Sequence, residues 1–196
     1  MTSSASSGSR SLSPAQKNDL NLAEQRLFQL CQACEDVSLP LLVDAEYLAV
    51  QPAIDYFTYR AFFEFKRPRK ALVYGTLQAY LKDSLPRLIE ASETAKKQGI
   101  STALKLVRGA YITRENVEAE SLGVPSPVHP LITGTHRCDN ICASLLLEKV
   151  STGEASLLLT THNFQSGKAH SHNLLIIYYC CVNARMFSDK GLMTIY

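Results

Sequence analysis

The sequence has no excess of charge of either sign, since its 196 residues carry 20 lysines and arginines against 18 aspartates and glutamates. Proteins that bind nucleic acid through its phosphates usually show a basic excess or a basic patch, so the formal net charge of +2 does not support such a partner. A run of apolar residues long enough to cross a bilayer is also lacking. The longest run, NLLIIYYCCV from Asn173, is much shorter than the roughly 20 residues that a membrane-spanning helix needs.

Glycine-rich phosphate loops and zinc knuckles are absent from the sequence as well. The segment VYGTLQ, at the end of one predicted strand, has too few glycines for a phosphate loop. Cys31 and Cys34 stand three residues apart, and His136, Cys138 and Cys142 form a second group, but both groups follow a helical period. A cysteine in such a position packs as a small apolar residue, whereas a zinc knuckle needs a tight loop. We therefore expect reduced thiols in the core and no metal site.

Helical and strand patterns alternate along the chain. Ser13, Pro14 and Gln16 form a capping box in front of a first helix, and Gly99 is placed to end a later one. Four short apolar segments, namely LLV after Pro40, KALVYGTLQAY, ALKLVRGA and SLLLTTHN, are separated by helical patterns. Short apolar strands that alternate with helices are typical of a parallel sheet covered by helices. The sequence therefore predicts an α/β fold.

Polar residues stand where each predicted strand passes into the following loop. Parallel α/β sheets bind their ligands at the carboxyl ends of the strands, whether the sheet is open or closed into a barrel. Because these ends share one edge of the sheet, the sequence predicts a binding site there. The polar residues at the four strand ends are Asp44, Gln78, Lys105 with Arg108, and Thr161 with His162 and Asn163.

The segment KLVRGAY, from Lys105 to Tyr111, places two cations at the end of one strand. Because side chains alternate along a strand, Lys105 and Arg108 face opposite sides of the sheet. One interpretation is that Lys105 faces the interior of a barrel near its mouth, with Asp44 as the available partner in the protein and with Gly109 allowing a ligand to approach the backbone. The other is a structural ion pair between Lys105 and Asp44, with Arg108 extended toward solvent. The residues alone leave both interpretations open.

Several motifs resemble those of the proline dehydrogenase family, in its plant-like branch. They are LPLLVDAE, QPAIDYF, GTLQAYLKD, KLVRGAY, SPVH with THRCDNIC, and TTHNFQSGK, and they run from about Asn18 to Ala169. The resemblance implies a partial (β/α)8 TIM-type barrel of about four βα units, equivalent to family strands four to seven. It also implies FAD as cofactor, oxidation of L-proline to pyrroline-5-carboxylate, and electron transfer to a quinone. A mitochondrial location, with peripheral membrane association of the full-length enzyme, is implied as well.

The same resemblance assigns roles to individual residues. Asp44 and Lys105 correspond to catalytic residues, and Tyr111 corresponds to a tyrosine that packs near the substrate. A single histidine after a strand is commonly structural, but the TTHN context favours a cofactor role for His162. Glu46 is expected to face away from Asp44 and to have a structural role. The residues similar to those that bind the cofactor are Ala45, Gln78, Arg108, Gly109, Ala110, Thr161 and His162.

The chain also departs from the family pattern. Residues 1–13 are serine-rich and predict a disordered leader with weak transit-peptide character, residues 14–169 predict the partial barrel, and residues 170–196 predict an irregular tail unlike the family. The first three strands of the family barrel, and the arginine pair that grips the proline carboxylate, have no counterpart. We therefore expect a truncated product, with the tail read through from non-coding sequence and with little or no turnover. The alternative is a non-catalytic fragment or interaction module.

Overall fold

The computed structural model describes residues 11–66 and 71–160, together with the backbone of a strand at 193–195. Helices and strands follow one another in the order that the sequence predicts, with one additional helix and one additional strand. Their bounds are α1 Pro14–Asp36, β1 Leu41–Val43, α2 Gln51–Glu64, β2 Val73–Gln78, α3 Ser84–Lys97, β3 Thr102–Val107, α4 Ile112–Ser121, α5 Ile132–Ser151, β4 Ala155–Leu159 and β5 Met193–Ile195.

The strands form one parallel sheet in the order β4-β3-β2-β1-β5. Near its centre Thr76 on β2 pairs with Lys105 on β3, and Lys105 pairs with Leu158 on β4. Because the strands run in the same direction, the ends of β1 to β4 lie along one edge, as predicted. We call this edge the carboxyl edge, and we call the opposite edge, where the strands begin, the amino edge.

Local sequence signals set the ends of two helices. The Oγ of Ser13 accepts a hydrogen bond from the backbone N–H of Gln16 at 3.2 Å, and Oε1 of Gln16 accepts one from the N–H of Ser13 at 2.9 Å. The predicted capping box is therefore confirmed. Gly99 follows α3 with a φ of +66°, and the N–H of Ile100 donates to the carbonyl of Ala95 at 3.0 Å. Glycine adopts this left-handed conformation without strain, so it ends the helix as predicted.

Helix α4 and strand β5 are the elements that the sequence pattern does not predict. The sequence of α4, ITRENVEAES, is rich in charge, and only Glu115 and Ala119 are buried, so its apolar period is weak. Strand β5 lies within residues 170–196, for which the sequence predicts an irregular tail. It pairs with β1, whose outer backbone groups would otherwise form an open edge.

Two apolar clusters lie between the sheet and its helices. One joins β2, β3 and β4 to α3 and α5 and includes Cys138 and Cys142. The other joins β1 and β2 to α1 and α2 and includes Cys31 and Cys34. All four cysteines are buried free thiols, as core packing predicts. In the described part of the chain, every helix is too short or too polar to cross a membrane.

Candidate functional site

Lys105 and Asp44 meet at the carboxyl edge. The ammonium Nζ of Lys105 lies 2.5 Å from Oδ1 of Asp44, and the two side chains are only 13% and 21% exposed. Asp44 follows β1 and Lys105 lies on β3 opposite Thr76, so the pair spans β2 two residues before that strand ends. Opposite charges attract each other more strongly where solvent is excluded, because water screens them less there. Both interpretations of the KLVRGAY segment include this contact.

Thr76 on β2 lies beside the ion pair and contacts Asp44. Its Oγ1 lies 2.8 Å from the backbone carbonyl of Val43 and 3.3 Å from Oδ1 of Asp44. A hydroxyl carries one proton, so Thr76 donates to one of these oxygens at a time. The sequence analysis missed this residue. The signal that points to it is its position two residues before Gln78, which places both side chains on the same face of β2.

Gln78 holds the loop that follows β1. Its Nε2 donates to the backbone carbonyl of Glu46 at 2.8 Å, and the N–H of Glu46 donates to Oε1 of Gln51 at 2.9 Å. The backbone carbonyl of Gln78 accepts a hydrogen bond from Oγ of Ser84 at 2.5 Å. Gln78 therefore lies at the carboxyl edge, as predicted, with its amide nitrogen engaged by the protein. The backbone of Glu46 helps to order the loop, which accords with a structural role.

An aromatic and cationic group borders this edge. Tyr111 packs against Tyr47 with ring centroids 6.2 Å apart, and Cζ of Arg114 lies 3.3 Å from the centroid of Tyr47. Desolvation raises the pKa of Tyr111, and its hydrogen bond to Glu46 and the charge of Asp44 raise it further. The phenol is therefore protonated at neutral pH. Within residues 11–66 and 71–160, the guanidinium of Arg114 forms no ion pair with a carboxylate.

Arg108 and Gly109 make contacts within the protein that the sequence did not predict. Nε of Arg108 lies 3.2 Å from Oδ2 of Asp139 on α5, whose side chain is 6% exposed, so Arg108 is paired rather than extended toward solvent. Gly109 has a φ of +120°, and a Cβ there would stand 1.4 Å from Cδ1 of Tyr80. On the side where a Cβ would stand, the absence of a side chain at Gly109 therefore makes room for the ring of Tyr80, and the assignment of Gly109 to the cofactor stays a prediction.

The other residues predicted for the site fall into two sets. Ala45 and Ala110 lie in the described loops that follow β1 and β3. Thr161 and His162 lie just beyond β4 and outside the described residues, so their assignment stays a prediction. The part of the edge that the structure describes is built from the loops after β1, β2 and β3.

A hydrogen-bonded cysteine pair lies in α5. The Sγ atoms of Cys138 and Cys142 are 4.0 Å apart. The hydrogen bond from Cys142 lowers the pKa of Cys138 to about 6 against the opposing effect of burial, and His129 lowers it as well. The pKa of Cys142 is raised, because this thiol provides the shared proton and is buried. Nowhere in the described ranges do three potential ligands stand close enough together to hold a metal ion.

Solved structures with the same arrangement define the class of fold. Proline utilization A from Bdellovibrio bacteriovorus superposes with a TM-score of 0.69 at 24% identity, over 76% of this chain and 15% of that one. Proline utilization A from Bradyrhizobium japonicum gives 0.67 at 22% identity, with coverages of 76% and 15%. This likeness, with the parallel sheet, confirms the predicted fold class, an α/β chain that forms part of a TIM-type barrel.

Sequence comparisons identify the family. The family model for proline dehydrogenase matches residues 2–174. Proline dehydrogenase 1, mitochondrial, of Arabidopsis thaliana is 41% identical over 162 residues, which is 82% of this chain and 32% of the relative. Proline dehydrogenase 2, mitochondrial, of the same plant is 43% identical over 159 residues, or 80% and 33%. The chain therefore belongs to the proline dehydrogenase family, which confirms the resemblance seen in its motifs.

The extent of these matches adds two facts. The family match begins at residue 2 and ends at residue 174, so it reaches beyond the range from Asn18 to Ala169 that the motifs indicate. The chain spans about a third of the length of the Arabidopsis thaliana relatives it matches. Hydroxyproline dehydrogenase of Mus musculus is 33% identical over 159 residues, which is 79% of this chain and 35% of the relative.

Proposed function

We propose that the protein acts in proline oxidation, as a flavin-dependent dehydrogenase that converts L-proline to pyrroline-5-carboxylate. Membership of the family supports this proposal, as do the names of the relatives in Arabidopsis thaliana. The observation that carries it is the Lys105–Asp44 pair, which is largely shielded from water at the carboxyl edge. Barrels of this type perform their chemistry at that edge. Because hydroxyproline dehydrogenases are also relatives, the proposed substrate class is a cyclic secondary amino acid.

The described residues of the carboxyl edge fit FAD as the cofactor. The ammonium of Lys105 carries three N–H donors, and its contact with Asp44 engages one of them. The remaining donors and the positive charge suit an electron-rich ring, and a positive charge stabilises the reduced form of a flavin. When bound, FAD would supply the hydride-accepting centre. The proposed cofactor-binding residues are Ala45, Gln78, Arg108, Gly109, Ala110, Thr161 and His162.

The other side chains of the carboxyl edge would orient Lys105 and bind the substrate. Asp44, fixed by Thr76, holds the ammonium of Lys105 in place. The phenol of Tyr111 stays protonated at neutral pH, since its pKa is raised, and its hydrogen bond to Glu46 holds the ring where it could pack beside a substrate. The guanidinium of Arg114, which stacks on Tyr47, can attract the carboxylate of an amino acid. These residues would therefore position the substrate beside Lys105.

We further propose a mitochondrial location. Relatives in Arabidopsis thaliana and Homo sapiens are named mitochondrial proline dehydrogenases. The family resemblance supports a quinone as the electron acceptor and a peripheral contact of the full-length enzyme with the membrane. Proline-dependent reduction of a quinone analogue by the purified protein would support this acceptor.

FAD binding by the purified chain tests the proposal. We expect a complex that is visible in the absorbance and fluorescence of the flavin, and a complex about tenfold weaker for Lys105→Met, because that change removes the charge and retains an apolar stem. Lys96→Met is the matched control, since Lys96 lies at the amino edge with 70% of its side chain exposed. A chain that binds no FAD at any concentration, or equal losses in both variants, would contradict the proposal.

Failure to bind FAD would favour the second candidate, a non-catalytic interaction module of the same family. One observation supports this candidate. Among the described strands, β4 pairs with β3 alone. Its other side can therefore accept a strand from a second chain, since an open strand edge offers unpaired backbone groups.

A further inference from the structure

Glu115 is a buried carboxylate in the first turn of α4. The residue is only 3% exposed. Its Oε1 accepts a hydrogen bond from the backbone N–H of Leu48 at 2.8 Å and another from the hydroxyl of Tyr80 at 3.1 Å. No basic side chain of the described residues forms an ion pair with it. Two neutral donors therefore hold a buried charge, and burial of a charge is unfavourable unless hydrogen bonds satisfy it.

The two donors come from different loops of the carboxyl edge. Leu48 lies in the loop that begins at Asp44, and Tyr80 lies two residues after Gln78. Leu48 also packs against the small apolar cluster that contains Tyr80. Since Glu115 itself follows β3, its carboxylate joins the loops that follow β1, β2 and β3.

Tyr80 extends this connection to the end of β3. Its backbone N–H donates to the carbonyl of Arg108 at 2.8 Å, and its ring fills the space where a Cβ on Gly109 would stand. Tyr80 is fully buried. Burial and the neighbouring carboxylate of Glu115 raise the pKa of Tyr80, so its hydroxyl keeps the proton that it donates to Glu115.

We propose that Glu115 is a positioning residue of the carboxyl edge, which holds the loop carrying Asp44 and the loop carrying Gln78 in register with the end of β3. This inference rests on the proposed function for the identity of the ligand. Glu115 acts through Leu48 and Tyr80 and not through contact with the ligand. Its removal would leave two buried donors without an acceptor and would release the loop between Asp44 and Val50 from α4.

A structural role alone predicts a different result. If Glu115 merely adds stability, its replacement should affect the site no more than any change of equal cost elsewhere in the core. Leu146→Ala supplies the comparison, because Leu146 is fully buried between α5 and the sheet, in the apolar cluster of β2, β3 and β4. The Glu120→Gln variant controls for a change of charge, since Glu120 is exposed on the same helix.

The experiment measures backbone hydrogen exchange and FAD affinity in the full chain. We expect Glu115→Ala to accelerate exchange at residues 44–50 by about tenfold or more, while Leu146→Ala and Glu120→Gln leave these residues unchanged relative to the rest of the chain. FAD affinity should fall about tenfold in Glu115→Ala. Glu115→Gln retains one acceptor oxygen and should recover part of both effects. Tyr80→Phe, which keeps the ring and removes one donor, should show a smaller change of the same kind.

The two readouts separate this inference from the proposed function. Absence of FAD binding in the unmodified chain would overturn the proposed function, while local acceleration of exchange would still support the positioning role. Exchange that rises uniformly in Glu115→Ala and Leu146→Ala would overturn the positioning role, even if FAD binds. Should Glu115→Ala fail to fold, the glutamine and phenylalanine variants decide the question by the same local exchange.

Discussion

The carboxyl and amino edges of the sheet each contain a lysine–carboxylate contact. At the carboxyl edge, Lys105 lies 2.5 Å from Asp44, and the side chains are 13% and 21% exposed. At the amino edge, Lys96 lies 3.3 Å from Glu154, and the side chains are 70% and 41% exposed. A cavity of about 250 Å³, lined in part by Lys96, Lys149 and Glu154, opens at the amino edge.

The two edges therefore differ in desolvation, and the proposed site lies at the edge whose ion pair is the more shielded. Water screens the exposed pair, so it contributes little to stability or to the recognition of a ligand. The pair at the carboxyl edge is shielded, so its charges act more strongly on each other and on a bound molecule. The cavity at the amino edge therefore lies away from the residues on which the proposed chemistry depends.

We expect the largest effect when alanine replaces one glycine at each edge, Gly109 at the carboxyl edge and Gly99 at the amino edge. Gly109→Ala should lower the free energy of unfolding by about 4 kcal/mol, because the new Cβ meets the buried ring of Tyr80 and the φ is unfavourable. Gly99→Ala should lower it by about 1 kcal/mol, since nothing lies within 4 Å of its Cβ position. Urea unfolding followed by circular dichroism measures both values. Equal losses would show that Tyr80 can move aside.

The second test compares the two ion pairs. Asp44→Ala should lower the free energy of unfolding by about 3 kcal/mol, because it leaves the shielded ammonium of Lys105 without its partner. Glu154→Ala should change it by less than about 0.5 kcal/mol. Addition of Lys105→Met to Asp44→Ala removes both charges and should recover part of the loss. A loss at Asp44 as small as that at Glu154 would mean that solvent screens both edges equally.

The smallest effect concerns thiols in the two apolar clusters. Burial raises the pKa of Cys31 to about 12, whereas the hydrogen bond from Cys142 lowers that of Cys138 to about 6. Thiolate absorbance should therefore show an ionisation of Cys138 below the ordinary thiol range in the folded chain, and Cys142→Ala should move it toward the ordinary thiol value. Cys34→Ala, in the other cluster, should leave it in place. An unchanged midpoint in Cys142→Ala would show that Cys142 does not lower the pKa of Cys138.

The same pair makes stability depend on pH. The pKa of Cys138 falls from 9.0 to about 6 in the folded chain, so the folded state loses this proton first as the pH rises. Through Cys138 the free energy of unfolding should therefore rise as the pH increases from about 6 to 9, while the raised pKa of Cys142 lowers it again above pH 9. Unfolding measured across this range should show the slope, and Cys138→Ala should remove it.

The sequence predicts the elements best where short-range rules apply. The capping box at Ser13 and the helix end at Gly99 each depend on residues within a few positions of one another. Helix α4 escaped prediction because its buried face consists of Glu115 and Ala119, so its pattern is polar throughout. Glu115 escaped for a related reason, since it stands away from the strand ends and a buried acid looks like a surface acid in sequence.

Sequence by itself determined the alternation of helices and strands, the caps, and the line of polar residues at the strand ends, because periodicity and turn chemistry act over a few residues. Only the tertiary structure decided which distant residues contact one another. Lys105 and Asp44 are 61 positions apart, Leu48 and Glu115 are 67 apart, and Arg108 and Asp139 are 31 apart. Contacts over such distances depend on the parallel register of the strands and on the packing of α4 and α5 against them, so no local pattern specifies them.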